Sequence, residues 1–434
     1  MSQLGRGRWW AISGIVALVV IVCIAVIAST DSGAPTAQAC PTTSSDCVEV
    51  GIGQPIYLAT MFRTDSQDGT DASNAVQMAV DYLDGRFDGL PGTLLGHPVS
   101  VLPTVDGCAA PSGIAAAHQI IAQSDVLGVV AANCSASMYK AADAVLSAAH
   151  LLTISPQASS VLLTDPKEHQ PYFFRTARND LIQGSLIADF IHTHPEWTRV
   201  GIISTNDAYS SVLGAAITSD LHAAGGTATK LIIDAAHPAR SVETLATFHP
   251  SAVVLPLNGN HCLEVLKALH QTPQVPVVMT QQCQQQGVLD YLRNNGGSQV
   301  YATGPDASEL AAQPFYADAF LPAYQRLFGY RPLTIYSPAA FDATNLIFDA
   351  IRRVAVVHPG GGLMINRVAL REALLHDVEY QGLSDVLSCS PTGDCVPATR
   401  MAVYRAPQWP VGGNPLVSSV FSETKVLQSL LIQN

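Results

Sequence analysis

Nine cysteines are the residues most able to do chemistry in this sequence. Cys23 lies in an apolar N-terminal run, and the others are Cys40, Cys47, Cys108, Cys134, Cys262, Cys283, Cys389 and Cys395. Thiols can form disulfides, hold a soft metal or act as nucleophiles. No pair has C-x-x-C spacing and no histidine cluster accompanies the cysteines, so no metal site is expected. An even number outside the apolar run fits an oxidising compartment. Eight cysteines permit on the order of a hundred pairings, and sequence alone does not choose. The simplest pairing is sequential: 40–47, 108–134, 262–283 and 389–395. Chain-entropy arguments give about 3.5 kcal/mol for closing 108–134 and about 2.4 kcal/mol for 389–395.

Catalytic patterns are missing. The sequence holds no G-x-S-x-G elbow, no H-E-x-x-H and no G-x-x-x-x-G-K-[ST] loop. Gly51-Ile52-Gly53 continues into Gln54-Pro55, which is not a dinucleotide fingerprint. His192-Thr193-His194 precedes Pro195 without nearby carboxylate spacing and reads as a solvated helix end. Asn133-Cys134-Ser135 matches a glycosylation sequon by chance, because it follows an apolar strand. An enzyme and a bound cofactor are therefore not expected.

The elements that must position any site follow from the hydrophobic pattern. Of 434 residues, 48% are apolar and 13% charged, enough for a large core and unlike a disordered chain. The net charge is −12, and the five lysines are scattered, which excludes nucleic acid as a partner. Apolar runs at 56–61, 99–105, 126–131 and 151–154 read as strands. Helical patterns alternate with them; Val76, Val80, Leu83 and Phe87 share one face. The alternation restarts at 199–204 and continues through 231–233, 252–255 and 275–279, with Leu213, Ile217 and Leu221 on one helix face between the first two. Near-continuous apolar strands between amphipathic helices imply parallel sheets covered on both sides. Two such series predict an α/β protein of two doubly wound lobes, with a ligand cleft between them.

The N-terminus carries a second signal. Trp9–Ala28 is uncharged and about as long as a bilayer core is thick. Arg6 and Arg8 precede it, which predicts a cytoplasmic N-terminus and an extracytoplasmic body. An uncleaved anchor is preferred to a signal cut near Ala28 or Ala39. The expected organisation is a stub at 1–8, an anchor at 9–28 and a Ser/Thr/Pro-rich linker at 29–51. Lobe 1 is expected at 52–178 and 306–380, and lobe 2 at 179–305 and 381–434.

Several segments carry a family resemblance. They are Asp106-Gly107-Cys108, Asn133-Cys134-Ser135-Ala136-Ser137, Ser155-Pro156-Gln157-Ala158-Ser159, Asp207-Ala208-Tyr209 and Ser337-Pro338-Ala339-Ala340-Phe341-Asp342. In this order and spacing the chain, over roughly 52–410, resembles the type I periplasmic solute-binding proteins, the leucine-binding-protein class of ABC importers. The resemblance implies three crossovers between the lobes, placed near 175–180, 303–306 and 380–384, and closure about that hinge. It also implies the 108–134 disulfide. It assigns ligand contacts to Ser135, Ser159 and Tyr209. Ser135 also reads, without the resemblance, as a helix N-terminal residue facing an anion or as a plain N-cap. Gln157 replaces a family glycine and adds an amide near the pocket. Gln282 stands where the family has an acid for the ligand ammonium, and a neutral amide lacks that charge-assisted bond. An amide or carboxylate solute then fits as well as an amino acid. Arg63 faces the same cleft and reads either as a partner for an acidic ligand or as solvated. The expected function is capture of a small polar solute for an ABC permease. A ligand-sensing ectodomain acting through a partner is the alternative, and an enzyme on this scaffold is less favoured. Eight residues ahead of the anchor leave no room for a cytoplasmic signalling module.

Overall fold

The computed structural model describes residues 40, 45–234, 237–270, 275–297, 299–376, 378–406 and 418–427. The expected stub, anchor and most of the linker lie outside the described residues. Among the described residues, no helix is long and apolar enough to cross a membrane.

The apolar runs become strands close to where the pattern puts them. β1 is Cys47–Val50, β2 Ile56–Phe62, β3 Thr93–Leu94, β4 His97–Val105, β5 Val126–Ala131, β6 Leu152–Ser155 and β7 Phe173–Arg175. They form a six-stranded sheet in the order β3-β4-β2-β5-β6-β7, with β4-β2-β5-β6-β7 parallel. Every β5 residue is buried, because helices cover both faces of the sheet. The expected face through Phe87 is shorter than predicted. The helix Gln67–Asp81 buries Val76 and Val80, then tightens and stops at Gly85, whose φ of 83° is left-handed. Leu83 and Phe87 still pack on the same core from the turn.

The second series gives β8 (Arg199–Ser204), β9 (Thr227–Ile232), β10 (Ala252–Leu255), β11 (Val277–Met279) and β12 (Val300–Pro305). β9 starts four residues before its apolar triplet, as an edge strand with half-buried alternation. The chain then re-enters the first lobe. The helix Ser337–Val354 buries Phe341, Leu346, Ile347 and Ile351 against that lobe's sheet. β13 (Val356–Val357) and β14 (Leu363–Asn366) follow, then the β15 (Tyr380–Gln381) and β16 (Val386–Leu387) hairpin. β17 (Ala398–Arg405) and β18 (Phe421–Val426) complete a seven-stranded sheet, β18-β17-β12-β11-β10-β8-β9.

Two boundaries differ from expectation. The linker does not run to Gly51: Cys47–Val50 is β1, paired antiparallel with β14, and Asp46 meets His150 at 2.7 Å. The last crossover falls after Val396 rather than at 380–384. Leu383, Leu387, Cys389, Cys395 and Val396 all pack in the first lobe's core. Arg175, with no exposed surface, holds this segment through Asp394 at 2.6 Å. Its other guanidinium nitrogens donate to the Ser160 carbonyl and Thr164 Oγ1. All four sequential disulfides are formed.

Candidate ligand-binding cleft

Parallel strands send the loops after their carboxyl ends to one edge of each sheet. In the first lobe these loops follow β2 (Arg63–Asp68), β5 (Asn133–Ser137) and β6 (Gln157–Ser160). In the second they follow β8 (Thr205–Tyr209), β10 (Asn258–His261) and β11 (Thr280–Gly287). Between the lobes they line a cleft of about 490 Å³ that includes Arg63, Ser135, Tyr209 and Gln282. Gln157 and Ser159 are not on its wall; they are fully buried beneath it.

Local geometry explains how each group is held. Gly69 lets the first turn of its helix touch the Arg63 carbonyl, where a Cβ would overlap that oxygen. The Arg63 N–H donates to Asn133 Oδ1 at 2.6 Å, and Asn133 Nδ2 donates to Gln157 Oε1 at 2.5 Å. That uses the acceptor of Gln157 and leaves its buried Nε2 without a partner. Ser135 Oγ accepts from the Ser160 N–H at 3.1 Å, and Ser160 Oγ donates across the lobes to the Ala208 carbonyl. Ser135 is not an N-cap: Cys134 holds that position, without a side-chain bond. The helix it opens spans only Ser135–Ser137, too short for a dipole that would hold an anion.

The second lobe is equally fixed. Asp207 accepts from the Tyr209 and Ser210 N–H groups at 2.9 Å each and so shapes the start of its helix. The Tyr209 hydroxyl donates to Thr280 Oγ1 at 2.8 Å, and its burial beside Asp180 raises its pKa well above the usual phenol value. The Cys262–Cys283 disulfide ties the glutamine loop to the helix Gly259–Leu269. Gly259 makes room for Gln285, since a Cβ there would strike the Gln285 amide. Gln284 Nε2 donates to the Thr303 carbonyl at 2.5 Å, so it braces the loop, while Gln282 faces the cleft.

Charge in the cleft disfavours an anion. Arg63 is engaged by Asp65 at 2.6 Å, and that ion pair raises its pKa. Asp65, Asp68 and Asp207 all line the cleft against this one arginine. The reading of Arg63 as a free partner for an acidic ligand therefore gives way to a rim ion pair.

Sequence reasoning missed the most unusual group. Asp180 opens the helix Asp180–His192 beneath the cleft lining, with 0% exposure, and its N–H donates to the Ser159 carbonyl at 3.0 Å. Neither Asp180 oxygen, nor Ser159 Oγ, has a hydrogen-bond partner of good geometry. Burial pushes the Asp180 pKa up to about 7, with the nearby Ser159 hydroxyl and Arg175 charge pulling it down. Asp68 Oδ1 and the Tyr336 hydroxyl are also buried without partners, and Tyr336 lies within electrostatic reach of both Asp68 and Asp180. In sequence, an aspartate after Asn179 reads only as favourable charge in a first helical turn. Nothing local marks it as a residue beneath the cleft.

Among the described residues, the metal-sized cluster of ligating types is Asp106, Cys108 and Cys134, but its two sulfurs are joined as a disulfide. Asp106 instead accepts from Ser137 Oγ and the Cys108 N–H, both at 2.8 Å, and shapes the disulfide loop.

Comparison with known proteins adds to this geometry. The profile described as periplasmic binding protein matches residues 59–407. No curated protein matches the sequence. Among solved structures, a leucine binding protein from Thermotoga maritima superposes with a TM-score of 0.68 at 17% identity, covering 85% of this chain and 98% of that one. A branched-chain amino acid transporter substrate binding protein from Streptococcus pneumoniae, in complex with isoleucine, gives 0.66 at 18% identity over 86% and 100%. A type 1 periplasmic binding protein from Bordetella pertussis gives 0.68 at 16% identity over 86% and 100%. At such identities the likeness is one of fold.

Proposed function

The chain belongs to the periplasmic binding protein family, a family of binding proteins rather than enzymes, and on that premise we propose that it captures a small amino-group-bearing solute between its lobes. The observation that carries this reading is Asp180: a fully buried carboxyl beneath the cleft lining, within electrostatic reach of Tyr209 on the cleft wall, with neither oxygen in a hydrogen bond of good geometry. Such a group is costly to keep unless something answers it. An ammonium would do so, and charge-assisted bonds to it are the strong ones. Asp180 thus supplies the acid that Gln282 does not. Ser135, Tyr209 and Gln282 on the cleft wall would meet the rest of the solute through hydroxyl and amide groups, with Gln157 and Ser159 in the layer beneath them. An amino acid fits best, as in the Streptococcus pneumoniae protein solved with isoleucine. A purely anionic carboxylate fits worst, given three cleft aspartates and a paired Arg63.

Delivery to an ABC permease is the role that goes with such capture, and four disulfides support an extracytoplasmic body. The test is a thermal-shift screen of amino acids, amides and carboxylates. A true ligand at a hundredfold excess over its dissociation constant adds about 2.7 kcal/mol. The reading predicts hits among ammonium-bearing solutes that are lost in Asp180→Asn. Hits confined to carboxylates without an amino group would refute it.

A further inference from the structure

A cavity of about 750 Å³, more spacious than the cleft, lies apart from it. It shares no lining residue with the cleft, and residues at all three chain crossovers, Arg178, Pro305, Asp306 and Ala398, form part of its wall. Neighbouring residues of the same segments divide between the two. Arg178 lines the rear cavity, while Asp180, two residues on, is within electrostatic reach of Tyr209 on the cleft wall. Ile335 and Pro338 line the rear cavity, while Tyr336 between them is within electrostatic reach of Asp68 on the cleft wall. The rear walls also come from both lobes: Phe315 and Tyr316 pack on the first, and Thr399 and Thr424 belong to β17 and β18 of the second.

The chemistry of its walls selects an occupant. One side is apolar, with Leu310, Phe315, Ile335 and Pro338. On the other, the two aspartates have spent their acceptors on the protein. Asp385 takes Arg178 Nη2 at 2.5 Å and Thr399 Oγ1 at 2.8 Å. Asp306 takes Arg400 Nε at 2.9 Å and Ser308 Oγ at 2.6 Å. The guanidiniums keep donors in hand, because Nη1 of Arg178 and of Arg400 makes no hydrogen bond to a described residue. Glu309 joins these two aspartates on the wall, so three carboxylates face two guanidiniums and an anion is not favoured. Spare donors, an apolar wall and no positive surplus together suit an uncharged acceptor on a ring-sized apolar body.

We propose that this rear cavity is a second ligand site, for a neutral amphipathic molecule with a carbonyl-type acceptor, and that its occupancy is coupled to lobe closure. Rotation about crossovers that separate two cavities opens one as it closes the other. A molecule wedged at the rear therefore favours the closed cleft, and by linkage the cleft ligand favours the rear one.

Benzamide is the probe, titrated by calorimetry into the full chain. It should bind wild type and Asp180→Asn alike, and Thr424→Trp should weaken it by about tenfold or more by filling the cavity from an exposed strand position. Scattering of the wild type should show a smaller radius of gyration with saturating benzamide. Absence of binding, or binding lost in Asp180→Asn but kept in Thr424→Trp, overturns the rear site while leaving the cleft assignment to stand on its own screen. Bound benzamide with an unchanged or larger radius overturns the coupling.

Discussion

Arg175 and Asp180 are five residues apart, and both are completely buried. They differ in what surrounds their charge. Arg175 bonds to Asp394, to the Ser160 carbonyl and to Thr164, and it pins the 389–395 loop to β7. Asp180 has no hydrogen-bond partner of good geometry for either oxygen, only the Ser159 hydroxyl nearby. Buried polar groups are nearly always satisfied, so the first arrangement holds the fold and the second awaits something from outside it. One short segment thus contains a structural ion pair and a receiving group. The distinction rests on partners, since burial is the same.

The comparison can be broken most forcefully at Arg175. Arg175→Met strands Asp394 without its cation in a buried site, and such losses cost about 3–5 kcal/mol. Urea denaturation should show that loss, and a variant as stable as wild type would remove the structural half of the contrast.

Asp180→Asn should do the opposite. A carboxyl whose folded pKa is raised to about 7 gives its full stability below the unfolded value. That stability is lost as pH rises from the unfolded value to about 7, because there the unfolded chain has ionised while the folded one still holds its proton. In the solute-free protein, the variant should therefore gain thermal stability relative to wild type between about pH 4 and pH 7, by on the order of a few kcal/mol, and keep that gain at higher pH. Its affinity for an amino-group-bearing solute should fall by about tenfold or more, in line with a lost bond to a charged group. A melting-temperature difference that does not change with pH would show that Asp180 is not held in the raised state.

Smaller effects refine the picture. Ser135→Ala leaves the buried Ser160 N–H without its acceptor and should cost about 1–3 kcal/mol in stability, besides weakening solute binding. Tyr209→Phe removes one bond to Thr280 and should cost about 1 kcal/mol by thermal melting. An equal loss for both would mean that the Ser135–Ser160 bond carries no more than an ordinary hydrogen bond.

The sheets were the most legible part of the sequence. β5, β8 and β10 coincide with their apolar runs, because a strand buried on both faces has no polar positions to blur its ends. β1 was hidden inside the presumed linker. Four residues are too few to show alternation, and the partner, β14, lies more than 300 residues away. The late crossover was hidden for the same reason, since the Arg175–Asp394 pair spans 219 residues. In the cleft, Ser135, Tyr209 and Gln282 were named through the family resemblance and Arg63 from its place in the first loop, and all four line the one cleft, two from each lobe. Asp180 was not found. Its special character lies in the missing partners around it, and no local pattern records an absence.

The most direct test is a crystal structure of the protein with the tightest-binding solute from the screen. The solute should lie between the lobes, with a protonated nitrogen within about 3 Å of an Asp180 oxygen. A solute that binds elsewhere, or that turns an uncharged or anionic group toward Asp180, would contradict the assignment.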